Sequence, residues 1–291
     1  MRKIIIFLLA CVLICTQALA EELTIGTITY LGTTEAEFQE GLDSLREGAA
    51  ASDDEFIRQL VKTRRVVKFY DSLMAMMMDL KSGRIHEIML PETTARYLIN
   101  NNKAHEIEFT TRFLASGISF GFKSDNTALK KEFDDAINSM KADGTLEALE
   151  AKYITGYGKE RVTSIAPDKF ENAEVIKAAV TGDMPPVDMF AGDGKPAGYN
   201  TAVLAEIGRR LKKNIELINI DSGGRSAALS SGRADVVFWY RSSQSNIEGH
   251  DAFDDLFDDV PKGVILSVPY FSWKCENVLI MKAKNSFLGL F

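Results

Sequence analysis

The sequence predicts an α/β protein of two related lobes, and three observations carry that reading. The first is an internal repeat. Val67-Lys68-Phe69-Tyr70-Asp71-Ser72 leads through a helical stretch to Leu80-Lys81-Ser82-Gly83-Arg84-Ile85, and residues 215–222 lead likewise to Leu229-Ser230-Ser231-Gly232-Arg233-Ala234. Asp71 and Gly83 lie 12 residues apart, Asp221 and Gly232 11. Each copy then enters an apolar segment, residues 88–90 or 236–239, so each reads as strand, helix, strand. The second observation is that the period is too long and the copies too few for a solenoid, which leaves two layered units. The third is composition. With 291 residues, 46% hydrophobic and 26% charged, the chain can build one large or two modest cores and is too charged for a multispanning membrane protein. Seven prolines and 21 glycines exclude collagen-like, mucin-like and mainly disordered chains.

Residues 1–20 read as a secretory signal peptide: Arg2 and Lys3 precede an apolar run over 4–15, and Ala18-Leu19-Ala20 supplies the small-residue cleavage site. Such a run is shorter than the roughly 20 residues that span a hydrocarbon core. A lipoprotein reading at Cys11 would leave apolar chain after the acylated residue, which disfavours it. Removing the signal takes Lys+Arg from 34 to 32 against 41 acids, a net charge of −9, which argues against a nucleic-acid partner. Cys275 is then the only cysteine, so neither an intramolecular disulfide nor a cysteine zinc site is expected. His86, His105 and His250 stand far apart, and no metal or cofactor is expected.

The mature chain opens with a strand over 23–30, and Gly32-Thr33-Thr34 then starts a helix with Thr34-x-x-Glu37 as its capping box. In the repeats, Asp71 or Ser72 and Asp221 or Ser222 supply N-cap oxygens, and Gly83 and Gly232 the left-handed C-terminal caps. Residues 127–153 read as a helix broken at Gly144, with Leu129, Phe133, Ile137 and Met140 as its apolar stripe. Residues 155–174, with Gly156, Gly158 and Pro167, read as a connection. A strand over 175–180 follows, ended by Pro185 and Pro186; Asp193-Gly194 makes a turn before a helix over 201–211. The expected division is a signal peptide 1–20, a first lobe 21–154, the connection 155–174, and a second lobe 175–291.

Several segments resemble the extracytoplasmic solute-binding proteins of family 3, the polar amino-acid binders of ATP-driven importers. Residues 175–207, with Met184-Pro185-Pro186-Val187-Asp188 and Asp193-Gly194-Lys195-Pro196-Ala197-Gly198-Tyr199-Asn200, are similar to the start of that family's first lobe. Ser231-Gly232-Arg233-Ala234-Asp235 and Ser267-Val268-Pro269-Tyr270-Phe271 resemble later parts of it. Residues 71–98 resemble the family's second lobe and 118–153 its closing segment, so the order looks like a circular permutation, with 277–283 and 117–123 as hinge strands. Two degenerate tandem copies are the competing account. The resemblance implies a two-lobe, type II periplasmic-binding-protein-like fold without catalytic residues. It also implies a monomeric periplasmic receptor that captures a small zwitterion, an amino acid, and delivers it to the permease of an ABC importer. An enzyme similar to cyclohexadienyl dehydratases, or a sensor or scaffold without ligand, are the alternatives.

An amino acid needs partners for its carboxylate, its ammonium and its side chain. Free amides at a helix start hold carboxylates, and the family has a similar "Gtt", so Thr33 and Thr34 are candidates, with plain capping as the competing role. Arg241 follows an apolar strand at the end where open α/β sheets bind ligands, and its fork can donate two parallel hydrogen bonds. Arg225, beside Gly223 and Gly224, is the reserve, with a solvated role as the plainer reading. Glu92, just past the strand over 88–90, or Asp188, after the double proline, could take the ammonium; a solvated turn acid is the alternative. Trp239 and Tyr240 would wall the side-chain pocket or belong to the core. Met74, Met76, Met77 and Met78 read as core filling. Phe253, Leu256, Phe257 and Val260 with five nearby aspartates over 251–259 read as a solvated amphipathic helix, since a calcium loop's alternating oxygens are absent. His86 reads as structural.

Overall fold

The computed structural model describes residues 22–29, 34–48, 62–101, 105–156, 162–242, 260 and 262–283. The signal segment 1–20, Thr33 and the aspartate-rich stretch 251–259 lie outside the described residues, as do the side chains of Glu92, Tyr240 and Arg241. In chain order the elements are β1 (Leu23–Ile28), α1 (Glu35–Gly48), β2 (Arg65–Tyr70), α2 (Leu73–Ser82), β3 (Glu87–Pro91), α3 (Glu92–Asn101) and β4 (His105–Lys123). They continue with α4 (Thr127–Ala142), α5 (Thr145–Glu150), β5 (Val175–Val180), β6 (Met189–Phe190), β7 (Pro196–Ala197) and α6 (Gly198–Leu211). The last are β8 (Asn214–Asn219), α7 (Arg225–Ser230), β9 (Val237–Ser242), β10 (Val264–Leu266) and β11 (Phe271–Ala283).

Among the described residues the strands pair into one seven-stranded sheet, β10-β4-β11-β3-β1-β2 with β9 on β4, and two two-stranded pairs, β5 with β8 and β6 with β7; taken lobe by lobe they follow one plan. In the first lobe β1 lies between β2 and β3, parallel to both; β11 pairs antiparallel with β3, and β4 with β11. In the second, β5 runs parallel to β8 and meets β9 through a parallel bridge, Ala178 to Val236. Beyond β9 comes the far end of β4, antiparallel to β9 and then to β10. The orders 2-1-3-11-4 and 8-5-9-4-10 match position for position, and the internal repeat is the sequence trace of that match. β4 and β11 serve both lobes. Their pairing shifts register between Trp273 and Glu276, opposite Ser116 and Leu114, where the two strands pass from lobe to lobe. That crossing lies a few residues outside the expected hinge segments 117–123 and 277–283. The architecture is the expected two-lobe, type II periplasmic-binding-protein-like one, with lobes joined by hinge strands. No helix among the described residues is long and apolar enough to cross a membrane.

Local chemistry places the elements. Ser72 Oγ accepts from Ala75 N at 3.2 Å to cap α2, and Gly83 ends it at φ +74°. α4 stops before Gly144, which sits at φ +78°, and its stripe of Leu129, Phe133, Ile137 and Met140 is buried. Phe133 meets Phe120 and Phe122 edge-on at 5.3 and 5.1 Å, and Phe120 stacks on Tyr270 at 4.2 Å. α6 starts at Gly198, earlier than the expected 201, and only glycine fits there. Its φ is +90°, and a Cβ would stand 2.6 Å from the Pro186 carbonyl oxygen.

Packing crosses the expected boundary at 154. Ile118, Phe133, Ile137, Leu146 and Ile154 share one hydrophobic core with Ile176, Tyr199, Ile207 and Phe238, so α4 and α5 pack on the second lobe. The first lobe has its own core of Ile28, Tyr70, Leu73, Met76, Leu80, Ile85, Ile88, Leu90 and Ala95. The methionines of α2 divide: Met76 is buried and Met77 packs against this core, whereas Met74 and Met78 are 75% and 59% exposed. Core filling therefore accounts for only two of the four. The expected N-cap of the second repeat also differs, because Ser222 turns its hydroxyl elsewhere and α7 starts after a short 3-10 turn without a side-chain cap.

Asp143 ties α4 and α5 to α6, accepting from Thr145 N and Oγ1 at 3.0 and 2.6 Å and from Arg210 Nη2 at 2.7 Å. The Thr145 hydroxyl first, then Arg210, hold its carboxyl down to about 2. A folded pKa below the ordinary 3.8 gives stability that is present above 3.8 and lost as pH falls through about 2. The Thr145 amide shift, followed by NMR during acidification, is expected to titrate near that lower value. A midpoint at or above 3.8 would remove the tie.

Candidate functional site

In open α/β sheets the C-terminal strand ends are where ligands bind, and here the two lobes turn those ends toward each other. β1 and β2 bring Thr29 and Asp71; β5 and β8 bring Thr181, Gly182 and Asp183, and Ser222 and Gly223. Thr29 Oγ1 lies 3.0 Å from Asp71 Oδ1 and 3.1 Å from the Tyr70 carbonyl oxygen. Across the junction, Leu73 N, at the start of α2, donates to Asp183 Oδ1 at 2.8 Å. Ser222 N donates to the Asp71 carbonyl oxygen at 2.9 Å.

Behind this junction runs a buried polar network. Ser222 Oγ donates to Asp183 Oδ2 at 2.7 Å, and Thr181 Oγ1 to Asp188 Oδ2 at 3.0 Å. Arg225 Nη2 donates to both hydroxyl oxygens, at 3.2 Å for Ser222 and 3.3 Å for Thr181, so one guanidinium serves two carboxylates through two hydroxyls. Its carbon sits 4.2 Å above the Phe238 ring, which favours a desolvated cation. Asp188 also accepts from Thr181 N and Gly182 N, both at 2.8 Å, and from Asn200 Nδ2 at 2.9 Å. Tyr270 OH donates to Asn200 Oδ1 at 2.9 Å and closes the chain. Burial pushes the Asp183 carboxyl up, against the lowering effect of its bonds to Leu73 N and Ser222. Burial likewise raises the Tyr270 phenol well above its ordinary value.

The structure sorts the expected residues. Arg225 is 5% exposed rather than solvated, because Phe238 and two hydroxyls receive it. Asp188 is fully buried and not a solvated turn acid; both its oxygens hold the chain's own donors, which takes it away from a ligand ammonium. Trp239 is 1% exposed within a core cluster with Ala179, Leu229 and Val237, so it is core and not a pocket wall. Thr34 makes the expected capping box: its N–H and hydroxyl both lie 2.7 Å from Glu37 Oε2, and Glu37 N donates back at 3.2 Å. Those bonds lower the Glu37 carboxyl pKa. Arg241 and Tyr240 hold the C-terminal end of β9, opposite Gly117 and Ile118, and Glu92 is the first residue of α3. His86 Nδ1 accepts from Thr24 N at 3.0 Å, a structural use. Sequence reasoning missed Thr181, Asp183 and Ser222. The available signal was their place directly after β5 and β8.

The sequence profile of the bacterial extracellular solute-binding proteins, family 3, matches residues 176–244. The chain resembles that family over this stretch. The family 3 segment begins inside β5 and extends just past β9, so it carries Thr181, Asp183, Asp188, Asn200, Ser222 and Arg225 together. Similar solved structures include the ligand-binding component of an ABC-type import system from Staphylococcus aureus, with zinc bound. It is 10% identical, with a TM-score of 0.41, over 90% of this chain and 66% of that one. The BvgS periplasmic domain of B. pertussis is 10% identical over 91% of this chain and 38% of that one, TM-score 0.40. The GluR0 ligand-binding core from Nostoc punctiforme in complex with (L)-glutamate is 12% identical over 91% and 86%, TM-score 0.38. The chain thus spans less than two thirds of the first two.

Proposed function

We propose that the protein is an extracytoplasmic solute-binding protein that captures a small zwitterion, an amino acid, between its lobes and delivers it to an ABC-type permease. The observation that carries the reading is the family 3 match, because it covers the half of the second lobe whose strand ends meet the first lobe. In this reading Arg241 takes the ligand carboxylate, with Thr33 ahead of α1 as its partner from the other lobe. Glu92 takes the ammonium, and Tyr240 lines the side-chain pocket. These positions lie at the ends of β9, β1 and β3 or in the chain that follows them. Closure is then a hinge motion about β4 and β11, driven by a ligand that binds both lobes better together than apart. The order of the family-like segments, second-lobe-like before first-lobe-like, we read as a circular permutation.

The test is a thermal-shift screen of residues 21–291 against the twenty amino acids, small peptides and prephenate after co-purified molecules are removed, with hits measured by calorimetry. A ligand that binds only the folded state raises the melting temperature by mass action. A rise with one or a few amino acids is expected, and Arg241→Ala should weaken that binding by about thirtyfold or more, roughly 2 kcal/mol. Silence across the panel from a cooperatively melting protein overturns the reading. One observation favours a second reading, a closed sensor or scaffold without solute: the lobes already meet through the chain's own carboxylate, Asp183. The dehydratase-like alternative loses Asp188 as its acid, since that carboxylate is buried and hydrogen-bonded at both oxygens.

A further inference from the structure

We propose that Asp183 is an interlobe latch, a carboxylate of the second lobe that grips the start of α2 in the first and holds the cleft shut without solute. Three hydrogen bonds place it. Asp183 Oδ1 accepts from Leu73 N at 2.8 Å, and its Oδ2 accepts from Ser222 Oγ at 2.7 Å. Ser222 N in turn bonds the Asp71 carbonyl oxygen at 2.9 Å, so the lobes are stitched in both directions. Gly223 lies against the exposed Asp71 side chain, whose Oδ1 would stand 2.2 Å from a Cβ there, so the two lobes are close at this point as well. On the second-lobe side the junction is buried: Asp183 is 8% exposed and Ser222 fully buried.

Two features make the grip specific to a carboxylate at this position. The amides of a helix's first turn have no intrahelical partner, and in α2 the work is divided: Ser72 Oγ takes Ala75 N and Asp183 takes Leu73 N. On its other side the charge is supported by Arg225, through the Ser222 hydroxyl, which offsets the proximity of Asp188. A solute that enters between the lobes must first release this contact. Its apparent affinity therefore falls with the fraction of molecules in which the latch is open. The latch goes beyond the solute-binding reading and does not rest on it, since the contact involves this chain alone.

The experiment uses residues 21–291 freed of small molecules, with no ligand added, so a failed solute screen cannot affect its result. Amide hydrogen exchange by NMR and small-angle scattering are measured on the parent and on Asp183→Ala. The latch predicts at least tenfold faster exchange at Leu73 and Ser222, unchanged exchange in β1 and β5, and a larger radius of gyration. Unchanged protection of both amides with an unchanged radius overturns it. Should Asp183→Ala fail to fold, Leu73→Pro removes the donor instead. Proline suits the first position of a helix, and Ser72 already has the extended backbone that precedes proline. In that variant the Ser222 amide and the radius give the same two outcomes.

Discussion

Replacing Asp188 by alanine is expected to destabilise the protein by about 3 kcal/mol or more, because each buried donor left without a partner costs about 1–3 kcal/mol. The carboxylate serves Thr181 N, Gly182 N, the Thr181 hydroxyl and the Asn200 amide, and it is wholly buried. A hydroxyl can rotate to a new acceptor, but the two backbone N–H groups cannot follow. Asparagine should cost less, about 1–3 kcal/mol, since its oxygen can keep one set of donors while its amide nitrogen confronts the other. Urea unfolding reads both, as a lower midpoint with an unchanged slope. A loss under about 1 kcal/mol for the alanine variant would mean that water or a rearranged neighbour replaces the carboxylate. Because Thr181 also receives Arg225, the damage should spread along the network: the Tyr270 hydroxyl and the Ser222 amide are expected to lose protection together.

What the sequence made legible follows from which interactions are local. The strand-helix-strand repeat could be read because Ser72 and Gly83 cap α2, and Gly232 at φ +70° ends α7, all through bonds or dihedrals within a few residues. The apolar stripe of α4 was equally plain, since 3.6-residue spacing predicts which face is buried. Spacing does not predict what the face is buried against. Leu129 and Phe133 follow the first lobe in sequence yet join Ile176 and Tyr199, because β4 carries the chain across before α4 begins. Ser222 failed as a predicted cap for a related reason: its hydroxyl finds Asp183, 39 residues earlier, and a long-range acceptor leaves no mark in the helix start. Arg225 and Asp188 looked solvated by residue type, and only the partners that fold around them reverse that. The family-like segment contains the second-lobe part of the candidate site, while the contacts of its side chains are set between elements.

Breaking the Arg65–Glu87 pair is the other change expected to be severe, and here a double substitution decides its meaning. Nε of Arg65 donates to Glu87 Oε2 at 2.6 Å and Nη2 to Oε1 at 3.2 Å, with both side chains buried. They open β2 and β3 on either flank of β1, at the N-terminal strand ends and so away from the cleft. Glu87→Ala strips the buried guanidinium of this carboxylate and is expected to cost about 3–5 kcal/mol. The attraction itself need not be what stabilises the fold, because taking both charges out of water is costly. Replacing both partners, Arg65→Met with Glu87→Leu, is therefore expected to restore most of the loss and can exceed the parent by about 1–4 kcal/mol. Denaturant midpoints of the parent, both single variants and the double variant measure the coupling. If the double variant is as unstable as Glu87→Ala, the pair is itself stabilising through its geometry across β1. Because the pair lies at the far end of the sheet, hydrogen exchange at Leu73 and Ser222 in the folded double variant should match the parent. That result would separate what holds the first lobe together from what holds the two lobes shut.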